Sequence, residues 1–368
     1  MGSVNRIDTW KQKSGKKVSR PWLARYRGPD GKQHSQTFTR KVDAEKWLVS
    51  EESKSQRGEW IDPKAGTMTY GEWADHWLAS RHGLAPKTIA GYESLLRSRV
   101  LPAFKGAEIR RITTPAVRQW VSGMVEDVSP ARIRQALQVL HASLDMAVDD
   151  GLIPRNPVHK VKPPPVRKRR QLFLTADQLE DLADTAETLR DGSGGLVRLL
   201  GYGGLRWGEA VALRGGMVDV KKRRIRIAEA ATEIDGRLHF GTPKTHEERT
   251  VIAPRFVMEQ LAPLVKKAGR DGLVFTAVKG GPLRTSNFRK AVWVDAVKAA
   301  GLPEGLMVHD LRDTAASLAI SAGASIKAIQ RMLGHASAAM TLDTYGSLFE
   351  EDLETLADRM EERYGLTD

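Results

Sequence analysis

The chain has 368 residues, 41% of them hydrophobic, with no cysteine and 58 Lys and Arg against 45 Asp and Glu, a net charge of +13. That length predicts two or three domains with real cores, and the lack of cysteine excludes disulfides and cysteine-ligated zinc. No apolar run approaches the roughly 20 residues of a membrane helix, and the first residues lack the apolar core of a signal peptide. The isoelectric point near 9.8 favours a polyanionic partner. A cytoplasmic, nucleoid-associated protein with no membrane partner is therefore expected.

Residues 1–64 read as a small basic module. Arg6 to Trp10 and Trp22 to Arg27 alternate apolar and polar residues, the period of a strand. Gly28-Pro29-Asp30-Gly31 is a turn, His34 to Thr39 a third strand, and a helix follows through Val42, Ala44, Trp47 and Leu48. Three strands and a helix can bury Trp10, Trp22 or Phe38 on one face. Arg25, Arg27, Lys32 and Arg40 are then available to solvent or phosphate. A sheet of this size can enter a DNA major groove; the alternative is a basic sheet that only packs.

Residues 65–160 read as a helical domain. Tyr70, Trp73 and Trp77 fall at i, i+3 and i+7 and form a core stripe. Pro86-Lys87-Thr88 opens a second helix, with Tyr92, Leu95 and Leu96 inward and Lys87, Arg97 and Arg99 outward. Thr114-Pro115 is expected to cap a third helix through Val117 and Trp120. Ser129-Pro130 caps a fourth, through Ile133, Leu137, Leu140, Leu144 and Ala147 to Gly151. Lys87, Arg97, Arg99, Arg132 and Arg134 are candidate phosphate contacts, or solvated surface charges. Residues 161–171 form a basic, Pro-rich linker. Pro163-Pro164-Pro165 stiffens it, and Arg167, Lys168, Arg169 and Arg170 are expected to track a phosphate backbone, releasing a counterion for each phosphate neutralised.

Residues 172–368 read as mainly helical with one sheet insertion. Thr175 to Gln178 begins a helix with a capping-box pattern. A helix through Leu196, Leu199 and Leu200 leads to Gly203-Gly204-Leu205-Arg206-Trp207-Gly208-Glu209. Arg224 to Ile227 alternates as a strand, Asp235-Gly236 makes a turn, Lys244 stands near a strand end, and Arg249 to Ile252 continues the sheet. His309-Asp310-Leu311-Arg312 precedes a helical run, followed by Leu333-Gly334-His335, Thr341 and Tyr345. Arg206 and Arg312 supply planar forks that suit phosphate, His335 adds a donor, and Tyr345 offers a nucleophilic oxygen. Glu209 and Asp310 are expected to orient Arg206, Arg312 or a nearby backbone group, since no further carboxylates converge with them to hold a metal.

Gly204-Leu205-Arg206-x-Gly208-Glu209, His309-x-x-Arg312, Leu333-Gly334-His335 and Tyr345 ten residues on resemble, in that order, the signature of the tyrosine recombinase (phage integrase) family. The resemblance covers essentially the whole chain. Residues 1–64 resemble the arm-site-binding domain of many phage integrases, and residues 65–160 the family's helical core-binding domain. The implied fold is multidomain and mainly α with small β-sheets: an N-terminal three-stranded sheet plus helix, a helical core-binding domain, and an α+β catalytic domain over 172–368.

The resemblance implies a site-specific DNA recombinase that cleaves and rejoins DNA through a 3′-phosphotyrosine on Tyr345. Arg206, Arg312 and His335 would stabilise the phosphate, and Lys244 would protonate the departing 5′ oxygen. His309 would position or deprotonate the tyrosine, or stabilise phosphate charge. No metal and no cofactor are implied. A homotetramer would join core-type and arm-type sites of double-stranded DNA through a Holliday junction, integrating and excising a mobile element, with an excisionase and a host DNA-bending protein as further partners.

Two positions depart from the family pattern. Ser347 stands where histidine is frequent, and Asp313 follows Arg312 where a basic or small residue is common. The alternatives are a chromosome-dimer-resolving recombinase, a non-enzymatic DNA-binding regulator on the same fold, and a metallonuclease. After the tyrosine, Phe349, Leu353, Leu356, Met360 and Tyr364 mark one face of an acidic helix. That face is expected to be buried on protein, in the same chain or in a neighbouring subunit.

Overall fold

The alternation at Trp22 to Arg27 becomes the middle strand of an antiparallel sheet. The computed structural model describes residues 2–7, 9–11, 17–19, 21–57, 60–62, 65–166, 169, 171–242, 248–349 and 352–365. They form two compact units, Met1–Arg167 and Lys168–Asp368. In the first, β1 (Ser3–Arg6) is followed by β2 (Thr9–Lys11), β3 (Lys17–Ser19), β4 (Trp22–Arg27), β5 (Gln33–Phe38) and α1 (Lys41–Gln56). Strand β4 pairs with β1 and β5, setting Ala24 opposite Val4 and Gln36. Ala24 and Tyr26 are buried while Arg25 and Arg27 are exposed, as a period of two demands.

The expected first strand, Arg6 to Trp10, is not continuous. The Ile7 N–H donates to the Pro21 carbonyl at 2.9 Å, and β2 instead pairs with β3 as a separate ribbon. Trp22 and Phe38 are half-buried rather than central. The packing centre is Tyr26, whose ring lies 5.4 Å from Trp47 of α1 and 5.5 Å from His34. The Trp10 side chain lies outside the described residues.

The aromatic stripe is core as its spacing predicts. Helix α2 (Tyr70–Ala79) starts at a Thr69–Glu72 capping box and buries Tyr70, Trp73 and Trp77. The Trp73 indole N–H donates to the Ser143 carbonyl at 2.8 Å, and the Tyr70 hydroxyl meets the Ser143 hydroxyl at 2.8 Å, so the polar ends of both rings are satisfied. Helix α3 (Pro86–Leu95) widens into a π turn (Leu96–Val100) before α4 (Leu101–Phe104). Pro102 lies just beyond, where a regular helix would need the N–H that proline lacks.

Helix α5 (Thr114–Ser122) is capped by Thr113, whose hydroxyl accepts from the Ala116 N–H, and not by Thr114. Thr114 is already helical, and its hydroxyl donates to the Pro157 carbonyl at 2.8 Å. Helix α6 (Pro130–Asp149) begins with proline in its first position. Val158 and Val161 pack into the same core. Asp145 takes hydrogen bonds from Asn156 (2.8 Å) and meets His141 (2.8 Å) and His159 (3.1 Å). Among the described residues this is the one His and carboxylate group spaced to hold a metal.

The second unit contains α7 (Ala176–Leu189), α8 (Ser193–Gly203), α9 (Trp207–Val211), β6 (Val218–Asp219), β7 (Arg224–Ile227), β8 (Ala230–Ile234), β9 (Arg237–Gly241), β10 (Arg249–Ile252) and α10 (Arg255–Ala268). Then come α11 (Thr285–Phe288), α12 (Val294–Ala299), α13 (Asp310–Ser321), α14 (Ile326–Leu333), α15 (Ala338–Tyr345) and α16 (Asp352–Tyr364). The Thr175–Gln178 capping box is present. The expected single sheet is two: β10-β7-β6, and a β8–β9 hairpin. That hairpin closes through Asp235 (φ 47) and Gly236 (φ 73), both left-handed as a two-residue type I′ turn requires. Helix α8 is buried along almost its whole length. A satellite core of Ala316, Ile320, Ile329, Leu333 and Tyr345 ties α13, α14 and α15 together. On α16, Met360 and Tyr364 are exposed.

Candidate active site

Two glycine turns build the site. Helix α8 ends at Gly204, whose φ of 65° is left-handed and where a Cβ would lie 2.7 Å from Leu333 Cδ2. Helix α14 ends the same way at Gly334, also at φ 65°, where a Cβ would press within 2.9 Å of Arg249 Cδ. Each turn leaves carbonyls without helical partners, and arginines take them. Arg312, in the first turn of α13 and only 4% exposed, donates to the Gly204 carbonyl and, at 2.5 Å, to the Leu333 carbonyl. Arg206 donates to the Gly334 carbonyl at 3.3 Å. Motifs 128 residues apart thereby meet.

Glu209 organises the other side. It is 2% exposed and accepts from the Arg206 backbone N–H (2.8 Å) and guanidinium (3.0 Å). It also takes both terminal nitrogens of Arg249, at 2.8 and 2.7 Å, a bidentate pair. Burial by itself would raise the Glu209 pKa. The hydrogen bonds and charge of Arg249, with those of Arg206, outweigh it and hold the carboxylate below its ordinary range. Burial, then Arg206 and Arg249, push Arg312 down to about 10, which still leaves it charged at neutral pH. Arg206 and Arg249 thus share one carboxylate while Arg312 stands in its field, and the surplus positive charge of the three guanidiniums suits a phosphodiester.

His335 follows the Gly334 turn. Its Nδ1 lies 3.0 Å from the hydroxyl of Thr341. Burial, then the charges of Arg312, Arg206 and Arg249, push its pKa down to about 4, so the ring is neutral near pH 7. When Thr341 donates to Nδ1, the single ring proton sits on Nε2 and remains free for a phosphate oxygen. Tyr345 closes α15, 2% exposed. Its ring stacks on His335 at 6.4 Å and 7°, and its hydroxyl donates to Asp313 Oδ1 at 2.6 Å. Burial, then Asp313, raise its pKa above that of an ordinary phenol, so it is un-ionised at neutral pH.

The structure brings Arg206, Arg312, His335 and Tyr345 together. His309 caps α13, exposed and with no side-chain capping bond. Lys244 lies outside the described residues, as do Arg167, Lys168 and Arg170. Glu209 orients Arg206 as expected, and Asp310 takes the nearby backbone group, the other expected role, rather than Arg312. It accepts from Arg169 at 3.0 and 2.8 Å and from the Met307 N–H at 2.7 Å, because the first turn of α13 directs its carboxylate back over its own N-terminus. Arg25, Arg27, Lys32 and Arg40 are exposed, and Arg40 is paired with Asp43 at 2.8 Å. Lys87, Arg97 and Arg134 are exposed, whereas Arg99 and Arg132 are half-buried, with Arg132 bonded to Ser94 at 3.2 Å.

Arg249 was not anticipated. Its signal was its place in β10, on the same side of the strand as the buried Val251. An arginine on an inward position needs an acidic partner, and here that partner is Glu209.

Convergent arginines around a buried tyrosine are the equipment of an enzyme that transfers phosphoryl groups through its own side chain. Comparison with known proteins makes this specific. The chain matches the phage integrase family model over residues 172–351. It matches the phage integrase N-terminal domain over 15–57 and the phage integrase N-terminal SAM-like domain over 69–125. It is 30% identical over 345 residues to a putative prophage phiRv2 integrase of Mycobacterium tuberculosis, covering 87% of each chain. It is 30% identical over 359 residues to an integrase of Mycobacterium phage D29, covering 93% of this chain and 92% of that one. A lambda integrase tetramer bound to a Holliday junction shares the fold, at 19% identity and a TM-score of 0.60, covering 90% of this chain and 96% of that one. The chain belongs to the phage integrase family. It is a tyrosine-type site-specific DNA recombinase.

Proposed function

We propose that Tyr345 attacks a DNA phosphodiester and holds the cleaved strand as a 3′-phosphotyrosine. The observation that carries this reading is that the buried Tyr345 packs beside the His335 ring with its hydroxyl in the field of Arg312. Arg206 and Arg312 bind the non-bridging oxygens, His335 donates through Nε2, and Arg249 with Glu209 holds the first arginine in place. Lys244 is the acid for the departing 5′ oxygen. The covalent bond conserves the energy of the phosphodiester for rejoining, so neither cofactor nor metal enters the step. Residues 1–64 bind arm-type sites through Arg25, Arg27 and Lys32, and residues 65–160 bind the core site. Four copies exchange strands through a Holliday junction, integrating and excising a mobile element, as the family membership and the lambda integrase likeness support.

A nicked suicide duplex carrying the crossover sequence tests the nucleophile. Wild-type protein should accumulate a covalent adduct. Tyr345→Phe should bind the duplex equally and form none, since one oxygen is lost and little else. An adduct in that variant would place the nucleophile elsewhere.

A further inference from the structure

We propose that Asp313 is the proton acceptor for Tyr345, a catalytic role carried by the residue that departs from the family pattern. The proposal rests on the reading of Tyr345 as nucleophile. Its basis is a contact with the reacting atom. The Tyr345 hydroxyl donates to Asp313 Oδ1 at 2.6 Å, inside the reach required of a general base. The other candidate bases are otherwise placed. The His335 ring lies parallel to the phenol ring with centroids 6.4 Å apart and has its Nδ1 on Thr341, and no hydrogen bond joins it to the Tyr345 hydroxyl among the described residues. His309 is exposed at the start of α13.

The chemistry needs such a group. Burial and Asp313 together keep the phenol un-ionised, so its proton must leave as the oxygen attacks. The phenol O–H bond breaks and its proton passes to the Asp313 carboxylate. The oxygen–phosphorus bond forms as the bond to the 5′ oxygen breaks, and that oxygen takes a proton from the acid of the cradle. Rejoining runs in reverse, with the Asp313 carboxylic acid returning its proton to the departing phenolate.

The electrostatics favour this order. A carboxylate next to an incoming phosphate is repelled by it, and the repulsion ends once the carboxylate is protonated. The transfer therefore removes a negative charge beside the phosphoryl group at the moment charge builds on it. Helix α13 presents both groups from adjacent positions, Arg312 toward the phosphate and Asp313 toward the nucleophile.

The test uses the full chain with Asp313→Asn, Asp313→Ala, Asp313→Glu and Tyr345→Phe on the suicide duplex. DNA binding and single-turnover adduct formation are followed across pH. Asparagine still accepts the phenol hydrogen bond but takes no proton at neutral pH, so it separates positioning from proton transfer. Asp313→Asn should bind DNA normally and form adduct about 100-fold more slowly or worse, the low end of general-base contributions. Its rate should keep rising with pH where the wild type is level. Asp313→Glu should recover part of the rate. Arg312 and His335 face the phenol, and Arg206, Arg249 and Glu209 face Arg312; all are common to the variants, so the difference between profiles belongs to position 313. A wild-type rate and profile in Asp313→Asn would overturn the proposal. So would full activity in Asp313→Asn beside a slow Asp313→Ala, which reduces the aspartate to a positioning residue. Either result leaves the nucleophile reading intact so long as Tyr345→Phe forms no adduct; an adduct there overturns that reading and the proposal with it.

Discussion

Two sets of arginines in this chain do different physical work. Arg25 and Arg27 project from a sheet face into solvent. Arg206, Arg249 and Arg312 are fixed by backbone carbonyls and one buried carboxylate. An exposed arginine attracts phosphate only through long-range charge and counterion release, which salt weakens. The buried set, Arg312 itself and the half-buried Arg206 and Arg249 around the buried Glu209, bears its desolvation cost on folding and is fixed before any substrate arrives. Position in the fold decides whether an arginine contributes affinity or rate.

The buried set should break most severely at its anion. Glu209→Ala leaves the Arg206 and Arg249 charges facing each other with no carboxylate between them. Removing one partner of a buried pair costs about 3–5 kcal/mol, so the variant should unfold at much lower urea while Arg25→Ala does not. Equal unfolding midpoints for Glu209→Ala and wild type would show that the pair is hydrated and not a structural hub. Next in size, Arg312→Ala should slow adduct formation by about 10²–10³, the effect of losing a preorganised donor to the transition state. Its affinity for the crossover site should fall far less. Loss of affinity and rate in equal measure would place Arg312 in ground-state binding and erase the contrast.

The exposed set predicts the opposite pattern. Arg25→Ala with Arg27→Ala should weaken binding to arm-type DNA and reduce the salt dependence by about one unit of slope per lost phosphate contact. Adduct formation on an isolated crossover site should not change. An unaltered salt slope would leave the sheet a packing module.

How far the sequence foretold these sites follows from the range of the interactions. The Tyr70, Trp73 and Trp77 stripe and the Thr175 cap are local, set by residues within two helical turns, and both were legible. Arg206, Arg312, His335 and Tyr345 were legible as a motif. The path that joins them, through the carbonyls of Gly204, Leu333 and Gly334, depends on how α8, α13 and α14 pack. The break at Ile7 escaped because a strand pattern does not reveal which partner its hydrogen bonds choose. Asp313 was visible as a departure, but its contact with Tyr345 spans 32 residues and exists only once α13 and α15 pack together.

The smallest expected effect concerns His335, which stands on the edge of the buried set. Its pKa falls from 6.5 to about 4 in the folded chain, through burial first and then the three arginines. Above pH 6.5 the ring is neutral in both folded and unfolded chains and contributes no pH dependence. Between about 6.5 and 4 the unfolded chain binds a proton that the folded chain refuses, so stability falls as pH falls. Below about 4 both are charged and the contribution is level. Glu209 acts in a different window. Its depressed pKa gives stability that is complete above 4.5 and is lost only as pH drops through the folded value. Between pH 6.5 and 5, then, the two separate, and His335→Asn isolates the histidine, since the asparagine oxygen can stand near the place of Nδ1. Because the imidazole is only partly buried, solvent screening keeps the effect modest. Urea midpoints for wild type should fall further between pH 6.5 and 5 than those for His335→Asn. Parallel curves would mean that the ring takes up its proton without meeting the arginines, and His335 would then belong with the solvent-facing charges.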